Sequence, residues 1–85
     1  MFYIYGARNS LATEKSENLL IVCQKNYRTF ILGKDYTIQQ LHRLIPETNH
    51  VPHIYDGPKY IGGLKELYDY LYTMVKFDEE RNDEK

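Results

Sequence analysis

The sequence predicts an α/β domain in the order β-α-β-α-β-β-α, a four-stranded mixed sheet flanked by three helices. Three observations carry that prediction. Two short aromatic and β-branched runs, Phe2-Tyr3-Ile4-Tyr5 and Tyr27 to Leu32, each stop at a glycine, as buried strands do. Segments with apolar residues at helical spacing follow them. Val51-Pro52-His53-Ile54-Tyr55 and Tyr60-Ile61 flank Asp56-Gly57, the pattern of a hairpin. A strand, a crossover helix and a second strand make a parallel pair with a right-handed connection, and the hairpin adds antiparallel strands.

After the first strand, Ala7-Arg8-Asn9 reads as a loop. Ser10 or Asn9 caps a helix running to about Val22, with Glu14 and Glu17 in turns where the helix dipole favours negative charge. Leu19, Leu20, Leu11 and Cys23 are its expected buried residues. Gln24-Lys25-Asn26 turns the chain into the second strand, Tyr27 to Leu32, which ends at Gly33. Thr37-Ile38-Gln39-Gln40 has the form of a capping box; Ile38, Leu41, Leu44 and Ile45 follow at helical spacing, and Pro46 ends the element. Pro52 cannot donate to a central ladder, so it marks an edge, a first strand position or a cis bond. Beyond Gly62-Gly63, the apolar stripe Leu64, Leu67, Tyr68, Leu71, Met74 and Val75 predicts a last helix. Tyr68 and Tyr72 are expected in its core face, Tyr70 on the outside, and Tyr60 near the glycine turn.

An 85-residue chain is one domain with a modest core. The expected division is residues 1–77 as the folded domain and 78–85 as a disordered acidic tail. That tail carries five acidic and two basic side chains, so the body is close to neutral within a net charge of −1. Such a balance argues against nucleic acid as a partner. No apolar run approaches the roughly 20 residues that span a bilayer, and no basic region precedes an apolar one at the N-terminus. A soluble, cytoplasmic protein without a membrane partner is expected. A single cysteine, Cys23, excludes an internal disulfide and a C-x-x-C centre.

The element order, with Val51-Pro52 opening the third strand and Gly62-Gly63 ending the fourth, resembles the glutaredoxins, of the thioredoxin fold. The likeness covers about residues 2 to 75 and is most specific from Val51 to Gly63. It implies that Val51 presents its backbone to the cysteine of glutathione, that Pro52 is cis, and that Gly62-Gly63 cradles the γ-glutamyl end. The family's threonine before Val-Pro is His50 here. Its active-site dithiol falls on Ser10 and Thr13, within Ser10-Leu11-Ala12-Thr13, and no cysteine lies between Gly6 and Val22. A serine hydroxyl is not ionised near neutrality and forms no reversible mixed disulfide. The family's basic residue before the cysteines falls on Ala7, with Arg8 adjacent; its acidic residue after the glycines falls on Lys65, with Glu66 adjacent. Glutathione is therefore expected to bind weakly or not at all, and no cofactor is assigned.

The resemblance leads to a non-catalytic, glutaredoxin-like protein-binding module whose groove is formed by Arg8, Ser10, Thr13, His50, Val51, Pro52, Tyr60, Gly62 and Gly63. Its compactness and degenerate centre look like a viral or mobile-element protein that modifies a host target in the host cytoplasm. Two alternatives stand beside this reading: residual glutathione-dependent redox chemistry using Cys23 or bound glutathione, and a structural subunit of a larger assembly. No catalytic residue is assigned. A Ser10–His50 nucleophile and base pair lacks an orienting acid and an oxyanion site. His50 and His53 make no metal site, since strand residues three apart face opposite sides.

Overall fold

The register of the central strand decides where everything else lies. A computed structural model describes residues 1–46, 48 and 50–83, with the side chains of 75–83 outside the description. Its elements are β1 (Phe2–Gly6), α1 (Leu11–Val22), β2 (Tyr27–Ile31), α2 (Ile38–Leu44), β3 (His53–Asp56), β4 (Lys59–Gly62) and α3 (Leu64–Asp83). The sheet order is β2-β1-β3-β4, with β1 parallel to β2 and antiparallel to β3, and β3 antiparallel to β4. This is the predicted mixed sheet.

Strand alternation divides β1 into two functions. Phe2 and Ile4 point to one face, where Leu20 of α1, Ile54 of β3, and Leu67 and Leu71 of α3 complete the core. On the opposite face lies a layer of aromatic rings. Tyr5 stacks on Phe30 at 5.2 Å and meets Tyr36 and Tyr55 edge-on at 5.4 and 5.9 Å. On this side α2 buries Leu41 and leaves Ile38 and Leu44 exposed, with Leu44 lining a cavity beside Tyr3, Tyr5, Phe30 and Tyr55.

The helix caps follow the sequence closely. Ser10 accepts a hydrogen bond from Thr13 N–H, and Thr37 and Gln40 form the full capping box. Helix α1 buries Thr13, Ser16 and Leu20, a small and partly polar face. Leu11 is therefore not a core residue: it is the first residue of the helix, turned outward and 63% exposed. Leu19 and Cys23 pack at the core's margin.

In α3 the expected tyrosine roles are reversed. Tyr68 and Tyr72 are 56% and 59% exposed and stack on each other, whereas Tyr70 is half-buried, edge-on to Phe2 and donating to Asp56 Oδ2 at 2.7 Å. At about 100° per residue, the Leu67–Leu71–Met74 stripe leaves Tyr70 within about 70° of its centre and the other two beyond about 90°. Helical backbone also continues to Asp83, past the expected end near Phe77. The segment 78–83 contains neither Gly nor Pro to stop it. The expected core contact of Val75 lies outside the described side chains.

Candidate functional site

Three strand ends and one helix start converge at one end of the sheet. Tyr5, next to the C-terminal end of β1, pairs with His53 at the start of β3, and Ile54 pairs with Gly62 at the end of β4. Ser10 and the first turn of α1 follow directly from β1 through the Ala7-Arg8-Asn9 loop. The Val51–Pro52 peptide is cis, and it leads into β3 at this same end. A Cβ on Gly63 would lie 3.5 Å from Pro52 O, so the proline loop and the glycine pair are neighbours.

The two residues at the start of α1 are committed to structure. Thr13 N–H donates to Ser10 Oγ at 3.2 Å. Thr13 is 4% exposed, and its Oγ1 accepts from Ala7 N–H at 3.3 Å. It packs so closely beneath Gly6 that a Cβ there would fall 2.5 Å from Thr13 Cγ2. Thr13 is therefore a brace under the loop and not a groove residue, since its side chain is inside and its hydroxyl already used. Arg8 is exposed on the loop, and Ser10 is half-buried.

The glycine pair also has a partner. Gly62 takes φ +127, a conformation side chains rarely adopt, and a Cβ there would meet Glu66 Cβ and Cγ at 2.8 Å. Gly63 N–H donates to Glu66 Oε1 at 2.8 Å, the carboxylate half of a capping box at the start of α3.

No family model and no curated protein matches the chain. Among solved structures, the solution structure of the dithiolic glutaredoxin 2-C-Grx1 from Trypanosoma brucei brucei is similar to it. The TM-score is 0.68 at 18% sequence identity, over 91% of this chain and 81% of that one. The fold is that of a glutaredoxin. At this identity the likeness establishes architecture, and the chemistry must be argued from the side chains.

Within this glutaredoxin fold, the side chains around the proline loop build a buried hydrogen-bonded chain. His53 is 2% exposed. Its Nε2 lies 2.6 Å from Thr48 Oγ1 and its Nδ1 lies 2.8 Å from the Tyr60 hydroxyl. Thr48 donates its one proton to His50 O at 3.2 Å, so it must accept from His53 Nε2–H. The bare Nδ1 then accepts from Tyr60 O–H. Burial lowers the affinity of His53 for a second proton, an effect partly offset by a hydrogen bond from the imidazole to the His50 backbone and reinforced by the neighbouring His50 ring. Tyr60 is held protonated by burial and by the proximity of Tyr55 and Glu66. His42 Nε2–H donates to Thr48 O at 3.0 Å, tying α2 to the same loop.

This arrangement changes the expected geometry of His50 and Tyr60. The His50 ring lies over the His53 ring, 5.0 Å apart at 22°, because His50 stands before β3 across the proline and strand alternation does not apply to it. Both ring nitrogens of His53 are taken, and no group of three or more metal-ligating side chains occurs among the described residues. Tyr60 turns toward this chain of hydrogen bonds and half of it remains at the surface, so it belongs to the groove's support as much as to its wall.

Sequence reasoning found the loop, the proline and the glycines but missed Thr48, His53 as a buried hub, and Tyr36. Tyr36 is buried beside Tyr5, donates to Gly6 O at 2.8 Å and has its pKa pushed up to about 12 by that burial. His53 carried a readable signal, since it shares a strand face with Tyr55, whose cross-strand partner is Tyr60. Thr48 carried none.

Proposed function

We propose that the chain is a non-catalytic protein-binding module on a glutaredoxin scaffold. The observation that carries this reading is the state of the α1 N-terminus. Where the resemblance sets two thiols, Ser10 caps the helix and Thr13 is buried with its hydroxyl engaged. Neither group is a nucleophile toward sulfur. The single thiol, Cys23, follows the far end of the 12-residue α1, about 20 Å from Ser10 by helical rise. That distance counts against Cys23 as a stand-in for the missing pair.

Glutathione fits poorly. Its γ-glutamyl carboxylate would need backbone at the glycine pair, but Gly63 N–H is already given to Glu66 and the space above Gly62 is filled by the same side chain. Ala7 offers no charge where the resemblance expects a basic group. What the surface retains is exposed Arg8, the half-buried Val51 beside the cis bond, and the exposed ring of His50. These suit a partner's loop or extended segment, held by shape and hydrogen bonds without thiol exchange. Among the described residues no helix is long and apolar enough to cross a membrane. We infer that a scaffold without its thiols serves as a modulator of a host protein, of viral or mobile-element source.

The test is affinity capture of partners by the tagged chain with and without reductant, repeated with Arg8→Glu. A stoichiometric partner retained in both conditions and lost with Arg8→Glu supports the reading. Reductant-sensitive capture, or turnover of a glutathione mixed disulfide that disappears in Cys23→Ala, overturns it.

A further inference from the structure

A second groove lies along the outer side of β4. In the sheet order β2-β1-β3-β4 this strand is an edge, and hydrogen-bond parity identifies its open residue. Gly57 N–H donates toward β1, to Met1 O at 2.9 Å. By alternation Asp56 faces β4, where it pairs with Lys59, and Tyr55 faces β1. Tyr60, opposite Tyr55, therefore points its N–H and C=O away from the sheet. Among the described residues neither group has a backbone partner outside it.

Beside that open edge runs a cleft of about 700 Å³ between β4 and α3. Ile61, Tyr70 and Met74 give it an apolar floor, and Glu66, Asp69 and Thr73 line the α3 side. A strand added to β4 would lie about 4.8 Å away, placing alternate side chains over this cleft. Natural edges are commonly blunted by a lysine, and Lys59 stands at this one. Here, however, its ammonium folds back over the Tyr70 ring, 5.1 Å from the centroid. Tyr70 is itself fixed by its bond to Asp56. The lysine is thus drawn off the open edge and lies on the Tyr70 side of the cleft, which it lines.

Charge selects the occupant. The α3 wall presents Glu66 and Asp69 against Lys59 on the β4 side, so the charged residues lining the cleft sum to −1. Phosphate-bearing partners, whether nucleic acid or membrane, are repelled by such a wall. We propose that this groove takes up a basic, extended segment of a partner protein, with lysine or arginine alternating with apolar residues, paired to β4 as a fifth strand. The cleft adjoins the proline-loop groove at Tyr60 and Glu66, while Arg8 belongs to the proline-loop groove alone.

The experiment titrates an end-blocked hexapeptide of alternating lysine and valine into the full chain, read by amide NMR and hydrogen exchange. Binding should protect the Tyr60 amide, weaken about tenfold in Asp69→Lys, and remain as in the wild type in Arg8→Glu. A glutamate–valine peptide should not bind. The proposal is overturned if the acidic peptide binds equally or the Tyr60 amide stays unprotected on saturation. Unchanged affinity in Asp69→Lys also overturns it, as does binding that depends on Arg8, which would place the peptide in the other groove. Thr73→Arg, at an exposed helical position, gives the same charge test should Asp69→Lys fail to fold.

Discussion

Thr48→Val replaces one hydroxyl with a methyl of similar volume and so isolates the buried hydrogen-bonded chain. Thr48 Oγ1 is the acceptor for His53 Nε2–H at 2.6 Å and the donor to His50 O. Without it the imidazole N–H stays buried and unpaired, which costs roughly 1–3 kcal/mol. Tautomer exchange gives no relief: a ring protonated at Nδ1 still donates to Tyr60 but then leaves a bare Nε2 without a donor. His50 is exposed, so water can replace the bond to its carbonyl at small cost. A loss of about 2 kcal/mol is expected, equivalent to a Tm lower by about 10 °C for a domain of this size. Urea unfolding near pH 7.5 should show a lower midpoint at unchanged slope. Thr48→Ser, which keeps the hydroxyl, should lose less than about half as much. A Thr48→Val midpoint within about 0.5 kcal/mol of the wild type would refute the proton assignment.

Four further outcomes follow from the same geometry. Because burial lowers the pKa of His53 below 6.5, the unfolded chain binds a proton the folded chain resists, so stability falls as pH drops through that value. Urea midpoints at about pH 8 and about pH 5.5 should differ, and less so in His53→Phe; an unchanged difference would assign the effect to other groups. Gly62→Ala forces a Cβ against Glu66 at φ +127 and should cost at least about 1 kcal/mol. Adding Glu66→Ala should recover only the share of the clash due to Cγ and Oε1, since alanine keeps the Cβ at 2.8 Å, and none of the backbone part, as a double-mutant cycle will read. Tyr36→Phe removes the buried bond to Gly6 O and should cost about 1 kcal/mol in the same assay. Ser10→Cys places a thiol at the α1 N-terminus, where the dipole favours thiolate, so iodoacetamide should modify it faster than Cys23 at neutral pH.

The fold was legible because its local signals agreed with one another. The strand that stops at Gly6, the Thr37–Gln40 capping box and the Asp56-Gly57 hairpin each name their own element, whereas the second strand ends at Ile31, two residues before the expected stop at Gly33. What the sequence hid depends on contacts between distant residues. Tyr70 and Tyr68 differ by two positions on one helix, and only the position of β4 and Phe2 decides which is covered. Leu11 looked like core because leucine usually is, yet the buried face of α1 is made of Thr13, Ser16 and Leu20. At the site, Val51-Pro52 and Gly62-Gly63 were visible as backbone devices. The Thr48–His53–Tyr60 chain needed the β3–β4 register and the path of the preceding loop, which no local spacing encodes.

Glu66 makes the Gly62-Gly63 backbone a receptor with its ligand already tethered. Its carboxylate reaches Gly63 N–H from three residues away, at an effective concentration of roughly millimolar or more. A free anion below that level leaves it in place. Displacement is open to a macromolecule that brings other contacts at the same time, and it uncaps the first turn of α3. That turn also carries a wall of the cleft beside β4. Were both proposed grooves filled, their occupancies would be linked through Glu66, and by reciprocity each occupant would alter the other's affinity by the same factor.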